Sequence, residues 1–220
     1  MTNVQEFYTQ NPLKVWKKVL GSSMHYHFGG DDAVRELYSY IDTDSTLLDV
    51  GCGWSGPAKL LREERNINID TLSNSEQHQP TFLCDIHSFI PTKQYDTTLF
   101  FESLTHFDDA PTVLNNLRAH TNQIVIRDFT MQQDAYHNEW NMYIRTPQSW
   151  HQLLSPHYEI THLFVTPTQQ QIVETCKYWY DNILTLPFNQ MHGHILLLRR
   201  LCEHVLQYGS PFNSITIVAK

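Results

Sequence analysis

Apolar positions near the start of the chain recur at helical spacing. Val4, Phe7, Tyr8, Leu13, Trp16 and Leu20 form a loose stripe, Pro12 demands a helix start or a kink, and Gly21 ends the segment. A loop through Met24, His25, Tyr26, His27, Phe28, Gly29 and Gly30 follows. Asp31 and Asp32 then open a second helix with Val34, Leu37, Tyr38 and Ile41 on one face. From residue 46 the pattern becomes strand, loop, helix. Thr46–Val50 reads as a buried strand running into Gly51, Cys52, Gly53, Trp54, Ser55 and Gly56, and the next helix carries Ala58, Leu60 and Leu61. Further strands are predicted at about Ile67–Thr71, Phe82–Asp85, Thr97–Phe101 and Gln123–Asp128, the last after a helix holding Val113, Leu114 and Leu117. Such alternation predicts a parallel sheet with helices on both faces. About ten residues separate the second and third strands, so any crossover helix there must be very short.

The end of the chain departs from this rhythm. Tyr158–Val165 and Ser214–Ala219 alternate as strands, and no helix-plus-strand unit follows the second. They suit an antiparallel pair at one edge of the sheet. Between them Gln169–Tyr208 is mostly helical and interrupted at Pro187, too long for a plain connection. A lid over 169–208 is expected, with 129–146 a second candidate. The whole chain reads as one domain: a helical cap over 1–44 and an α/β core over 45–220.

Composition narrows the function classes. The 220 residues are 41% hydrophobic, enough for a sizeable core, and only 17% charged. A formal charge of −8 and the absence of any basic run argue against nucleic acid or an anionic membrane as partner. Cys52, Cys84, Cys176 and Cys202 form no CxxC pair, which suits a reducing compartment and gives no metal-site spacing. The longest apolar run, Ile195–Leu198, is far too short to span a bilayer, and no signal peptide is read at the start. A cytoplasmic protein is expected.

The chemistry centres on Asp49, Gly51 and Gly53, directly after a buried strand and before a helix. Glycines there permit a tight turn and let backbone N–H groups approach a ligand. An ordinary strand-to-helix turn would look similar. Gly56 formally completes a G-x-G-x-x-G pattern, which keeps a nicotinamide enzyme open, although Asp49 stands where dinucleotide sites usually carry an apolar residue.

The run Leu47-Leu48-Asp49-Val50-Gly51-Cys52-Gly53-Trp54 resembles the first motif of class I S-adenosylmethionine-dependent methyltransferases. It is most similar to the form in cyclopropane-fatty-acid synthases and small-molecule methyltransferases. The resemblance covers about residues 24–130. It implies a Rossmann-like fold with a seven-stranded, mostly parallel sheet, an antiparallel edge pair, N-terminal helices and a helical lid. It further implies S-adenosyl-L-methionine as cofactor, with Gly51 and Gly53 lining its methionine part and Asp49 holding the ammonium.

Thr71–Gln77 resembles the second motif, where Asp70 or Ser73, with Gln77, would bind the ribose hydroxyls; a polar turn is the plainer alternative. Asp85 falls where the family binds the adenine amino group, with the Ile86 backbone N–H on the ring. Asp85 as a simple helix cap is the other reading. Phe101–Phe107 contains Glu102, Ser103 and His106 in an E-S-x-x-H arrangement, at the sheet edge where open α/β folds bind ligands. Glu102 is assigned to the cofactor. His106 becomes the candidate base or acceptor-orienting group, against a purely structural histidine. Related carbon methyltransferases carry Glu directly before this His, whereas this chain has Thr105. The segment His25-Tyr26-His27-Phe28 resembles an aromatic stretch that folds over the cofactor, with Tyr26 on the cofactor and His25 or His27 on the acceptor. A hydrophobic loop packed on the core would serve equally. Trp140, Tyr143, Trp179, Tyr180 and Phe188 fall in the candidate lids and would line an apolar acceptor pocket, unless they are simply core.

The resemblance thus implies methyl transfer to an oxygen or nitrogen of a small, partly apolar molecule, a specialised metabolite or short peptide. Carbon methylation, non-catalytic cofactor binding and a nicotinamide-dependent oxidoreductase stand as alternatives. An adenine-methylating nucleic-acid enzyme is disfavoured, because no N/D-P-P-Y/F motif follows the fourth strand.

Overall fold

The computed structural model describes residues 30–53, 56–76, 79–137, 142–166 and 213–220. The predicted first helix, the His25–Phe28 loop and the long segment 169–208 lie outside them, as do Trp54, Gln77 and Trp140.

Helix α1 (Gly30–Arg35) runs into a 3₁₀ turn (Glu36–Ser39), burying Val34, Leu37 and Ile41 as the pattern predicts. Strand β1 (Thr46–Val50), α2 (Gly56–Arg65), β2 (Asn68–Ser73), β3 (Phe82–Leu83) and β4 (Tyr95–Phe101) follow. Next come α3 (Ala110–Arg118), β5 (Thr121–Thr130), a hairpin of β6 (Ala135–His137) and β7 (Met142–Ile144), and α4 (Pro147–Leu154). Strands β8 (Ile160–Thr166) and β9 (Asn213–Ala219) complete the described residues.

Among the described residues seven strands form one sheet in the order β3-β2-β1-β4-β5-β9-β8. Strands β1 to β5 pair in parallel, and β9 runs antiparallel to both β5 and β8. The expected antiparallel pair is therefore present, with β9 inserted inside β8. Successive residues point to opposite faces of a strand, so one sheet carries two apolar layers. Leu48, Val50, Phe100, Ile124 and Ile126 pack with Val113, Leu114 and Leu117 of α3 and Trp150 and Leu154 of α4. On the other face Leu47, Leu99, Val125 and Val218 meet Val34, Leu37, Ala58 and Leu61. A sheet covered on both faces matches the near-continuous apolar runs of β1 and β5.

Three local readings change. Strand β2 continues to Ser73, two residues past its predicted end. Its connection to β3 carries, among the described residues, a 3₁₀ position at Glu76, in keeping with the very short helix expected there, and threonines extend the ladder. Thr71 N donates to Thr81 Oγ1 at 3.1 Å, and Thr81 N to Thr71 Oγ1 at 3.0 Å. The candidate lid at 129–146 begins inside β5 and continues as the β6–β7 hairpin. Helix α4 directly follows it and was not anticipated. Its start is nonetheless local chemistry, since Thr146 Oγ1 accepts from Ser149 N at 3.0 Å and Pro147 sets the first turn. No helix of the described residues is long and apolar enough to cross a membrane.

Candidate active site

The carboxyl ends of the parallel strands gather most of the candidate residues. Beyond β1 the chain turns at Gly51 (φ +71°) and Gly53 (φ +50°), backbone that only glycine adopts without strain. Gly51 N and Cys52 N both donate to Leu72 O, at 2.9 and 3.2 Å, binding the turn to β2. From the other side Ser103 Oγ donates to Val50 O at 2.8 Å. The turn is thus held between the ends of β2 and β4.

Asp49 precedes it and is 1% exposed. Its Oδ2 has no hydrogen-bond partner among the described residues. Burial pushes the carboxyl up to about 7, with the positive charge of Arg62 acting in the opposite direction. A buried carboxylate oxygen with no donor is costly. A ligand amino group would supply both the missing donor and the counter-charge, so this donor set fits the methionine end of S-adenosylmethionine.

The candidates on β2 divide. Ser73 ends the strand, buried, its hydroxyl accepting from Ser75 N at 3.1 Å. Asp70 is not brought to the edge. It lies mid-strand beside Leu48, receiving Tyr95 Oη at 2.8 Å and facing Lys93 Nζ at 2.6 Å. Burial pulls its carboxyl up, but the bonds from Lys93 and Tyr95 hold it below the ordinary value. Asp85, just past β3, is largely exposed and accepts from His87 N at 3.1 Å, with His87 Nδ1 at 3.2 Å. These bonds keep it ionised, below the usual carboxylate range. Ile86 beside it is buried.

At the end of β4, Glu102 adopts a left-handed backbone (φ +50°), and its amide donates to Arg127 O at 2.6 Å. A 3₁₀ turn, Leu104–His106, follows. Leu104 and Thr105 are buried and His106 is partly exposed. Thr105 N and Oγ1 donate to the two oxygens of Asp128, at 3.1 and 2.9 Å. Asp128 is fully buried on β5, and burial pushes it up to about 6 against the hydrogen bonds of Phe129 and Thr105. Sequence reasoning passed over Asp128. The available signal was a carboxylate closing an apolar strand, the same setting as Asp49 on β1. The remaining candidates, His25, Tyr26, His27 and Gln77, lie outside the described residues.

Comparison with known proteins matches residues 26–172 to the model of a methyltransferase domain. No curated protein matches the chain. Among solved structures, a phosphoethanolamine N-methyltransferase 2 from Haemonchus contortus is similar at a TM-score of 0.71 and 11% identity, over 100% of this chain and 60% of that one. This chain therefore spans about three fifths of that enzyme's length. The (4+2)-cyclase SpnF is similar at 0.72 and 14% identity, over 100% of this chain and 96% of the cyclase. A cyclopropane synthase from Mycobacterium tuberculosis is similar at 0.61 and 13% identity, over 86% and 82%. Identities this low carry the fold and nothing finer. With two thirds of its length matched, the chain belongs to the methyltransferase-domain family and has the class I S-adenosylmethionine-dependent methyltransferase fold.

Proposed function

We propose that the chain is an enzyme that moves a methyl group from S-adenosylmethionine to an oxygen or nitrogen of a small, partly apolar acceptor. The observation that carries the reading is Asp49, a buried carboxylate with an unpartnered oxygen beside a left-handed glycine turn. When bound, the cofactor supplies an electrophilic methyl group on a sulfonium sulfur. Asp49 holds the amino group, Ser73 the ribose hydroxyls together with Gln77, and Asp85 the adenine amino group next to the buried Ile86. The Gly51–Gly53 turn and the Glu102 corner shape the cleft between them.

His106 orients the acceptor or accepts its proton as the new bond forms; an amine or hydroxyl acceptor needs that proton removed, a carboxylate does not. Thr105 before it, where carbon methyltransferases of similar motif carry Glu, supports oxygen or nitrogen over carbon. His25, Tyr26 and His27 are proposed to close over the same space. The acceptor class, a specialised metabolite or short peptide, is supported by the acidic surface implied by a formal charge of −8 and by the aromatics of the candidate lids, and a cytoplasmic setting by cysteine usage.

A second reading is that the cofactor is bound without methyl transfer; the fold itself is shared with a (4+2)-cyclase. Calorimetry with S-adenosylhomocysteine, and with NADH as control, tests the shared first step. Micromolar binding of S-adenosylhomocysteine and none of NADH is expected, and the reverse overturns both readings. Mass spectrometry of amine, phenol and carboxylate acceptors incubated with S-adenosylmethionine then separates them: products heavier by one methylene mark the transferase.

A further inference from the structure

We infer that Asp128 is a positioning residue, acting through Thr105 to fix where His106 is presented to the acceptor. The inference rests on the reading of His106 given above. His106 sits on a turn of only three residues, closed by its own amide bonding to Ser103 O at 3.0 Å. Buried Leu104 and Phe107 pin the chain on either side of it. Between them the polar side chain of Thr105 is carried inward, where both its donors meet the Asp128 carboxylate. Phe129 N adds a third donor to Asp128 Oδ1 at 2.8 Å. Adjacent strands β4 and β5 are thus locked together at the point where the histidine leaves the sheet.

The location makes this lock expensive as mere structure. Asp128 stands at the margin of the apolar layer that contains Phe100, Ile126 and Trp150. An apolar pair there would hold the turn at lower desolvation cost, since buried ionised groups are weak contributors to stability. What a carboxylate adds is direction: two oxygens receiving an N–H and an O–H from one residue fix that residue's backbone as well as its side chain.

The charge that faces Asp128 is Arg145, from the junction of β7 and α4, itself facing Asp134 and stacked on Tyr143 and Trp150. The remaining groups on the carboxylate are the neutral Thr105 and Phe129 donors. Below about pH 6 Asp128 takes up a proton, which relieves its buried charge while weakening it as an acceptor for the Thr105 donors.

The test uses the full chain with histidine labelled at Cε1, with and without S-adenosylhomocysteine. Thr105→Val removes one donor at nearly constant shape, and Thr105→Ser restores it. We expect Thr105→Val to shift and broaden the His106 resonance while leaving in place that of His120, at the far end of β4 and β5, and Thr105→Ser to return it. Asp128→Asn should act like Thr105→Val. On any acceptor found to be methylated, Thr105→Val should lower kcat about tenfold, with S-adenosylhomocysteine affinity within error of Thr105→Ser and a Tm lowered by the lost buried bond. An unmoved His106 resonance in both Thr105→Val and Asp128→Asn overturns the inference. So does a loss of kcat that merely tracks a loss of cofactor affinity. The resonance reads positioning without turnover, so a chain that methylates nothing leaves this test intact.

Discussion

Gly51 and Ser103 pack so closely that a Cβ added to Gly51 would stand 2.8 Å from the Cβ of Ser103 and 3.1 Å from the ring of Phe107. The glycine is required twice, by its positive φ and by the approach of the turn after β4. Gly51→Ala should cost about 1–2 kcal/mol from the left-handed backbone alone, and more from displacing Ser103. Urea unfolding of Gly51→Ala, Ser103→Gly and the double variant separates the two parts. The double variant should recover the contact part and not the backbone part. Full additivity of the single losses would show that the contact carries no energy.

Asp49 predicts a stability profile of unusual sign. Its folded value of about 7 exceeds the ordinary 3.8, so the native state keeps a proton that the unfolded chain has released. This contribution is fully present below the unfolded value and is lost as pH rises through about 7. A rise from 3.8 to about 7 corresponds to about 4 kcal/mol as an upper figure. Asp49→Asn should therefore be more stable than wild type at pH 8, with the advantage shrinking toward pH 4. Thermal melts across that range give the answer directly, and a variant no more stable at pH 8 contradicts the buried, unpartnered carboxylate. Asp128, at about 6, adds the same sign over a lower range.

The same carboxyl should make cofactor binding pH-dependent. An ammonium ligand favours ionised Asp49, so S-adenosylhomocysteine affinity should rise between pH 6 and pH 8, with proton release at the lower end. Calorimetry in two buffers of different ionisation enthalpy measures that release. Asp49→Asn should bind at least tenfold more weakly and release no proton. Equal affinity in wild type and variant would remove Asp49 from the site.

His106→Ala should leave S-adenosylhomocysteine affinity near wild type. If His106 removes a proton in the transition state, kcat falls by about a hundredfold to ten-thousandfold. If it only orients the acceptor, the loss is smaller and lies largely in KM. A full-rate variant would show that this histidine takes no part and would move attention to His25 and His27.

Asp70 and Ser73 make opposite predictions for cofactor binding. Asp70→Asn disrupts the bonds from Lys93 and Tyr95 and should cost about 1–3 kcal/mol of stability with cofactor affinity unchanged. Because those bonds hold its carboxyl low, the wild-type contribution is present above the unfolded value and fades as pH falls below it. Ser73→Ala should weaken S-adenosylhomocysteine binding, and the loss of the bond from Ser75 N should cost about 1 kcal/mol of stability. Cofactor loss in Asp70→Asn with an unchanged melt would restore Asp70 to the ribose site.

By itself the sequence determined the layered α/β architecture and the glycine turn, because burial and backbone conformation are written locally. The run Thr46–Val50, ended by Gly51 and Gly53, reads as a buried strand, and those glycines sit where φ is positive. The antiparallel end was legible for the same reason, in the alternation of β8 and the apolar β9. What lay beyond it were relations set by where strands stop and which strands are neighbours. Two further residues of β2 moved Asp70 from the expected edge into the middle of the strand, onto Tyr95 and Lys93. Val50 and Ser103 meet across the pairing of β1 with β4, and Thr105 and Asp128 across that of β4 with β5. A side chain's local pattern states that it is buried or polar, while its partner comes from strand order and register. Only the tertiary structure, by placing β4 between β1 and β5, decided that Asp128 holds the turn that carries His106.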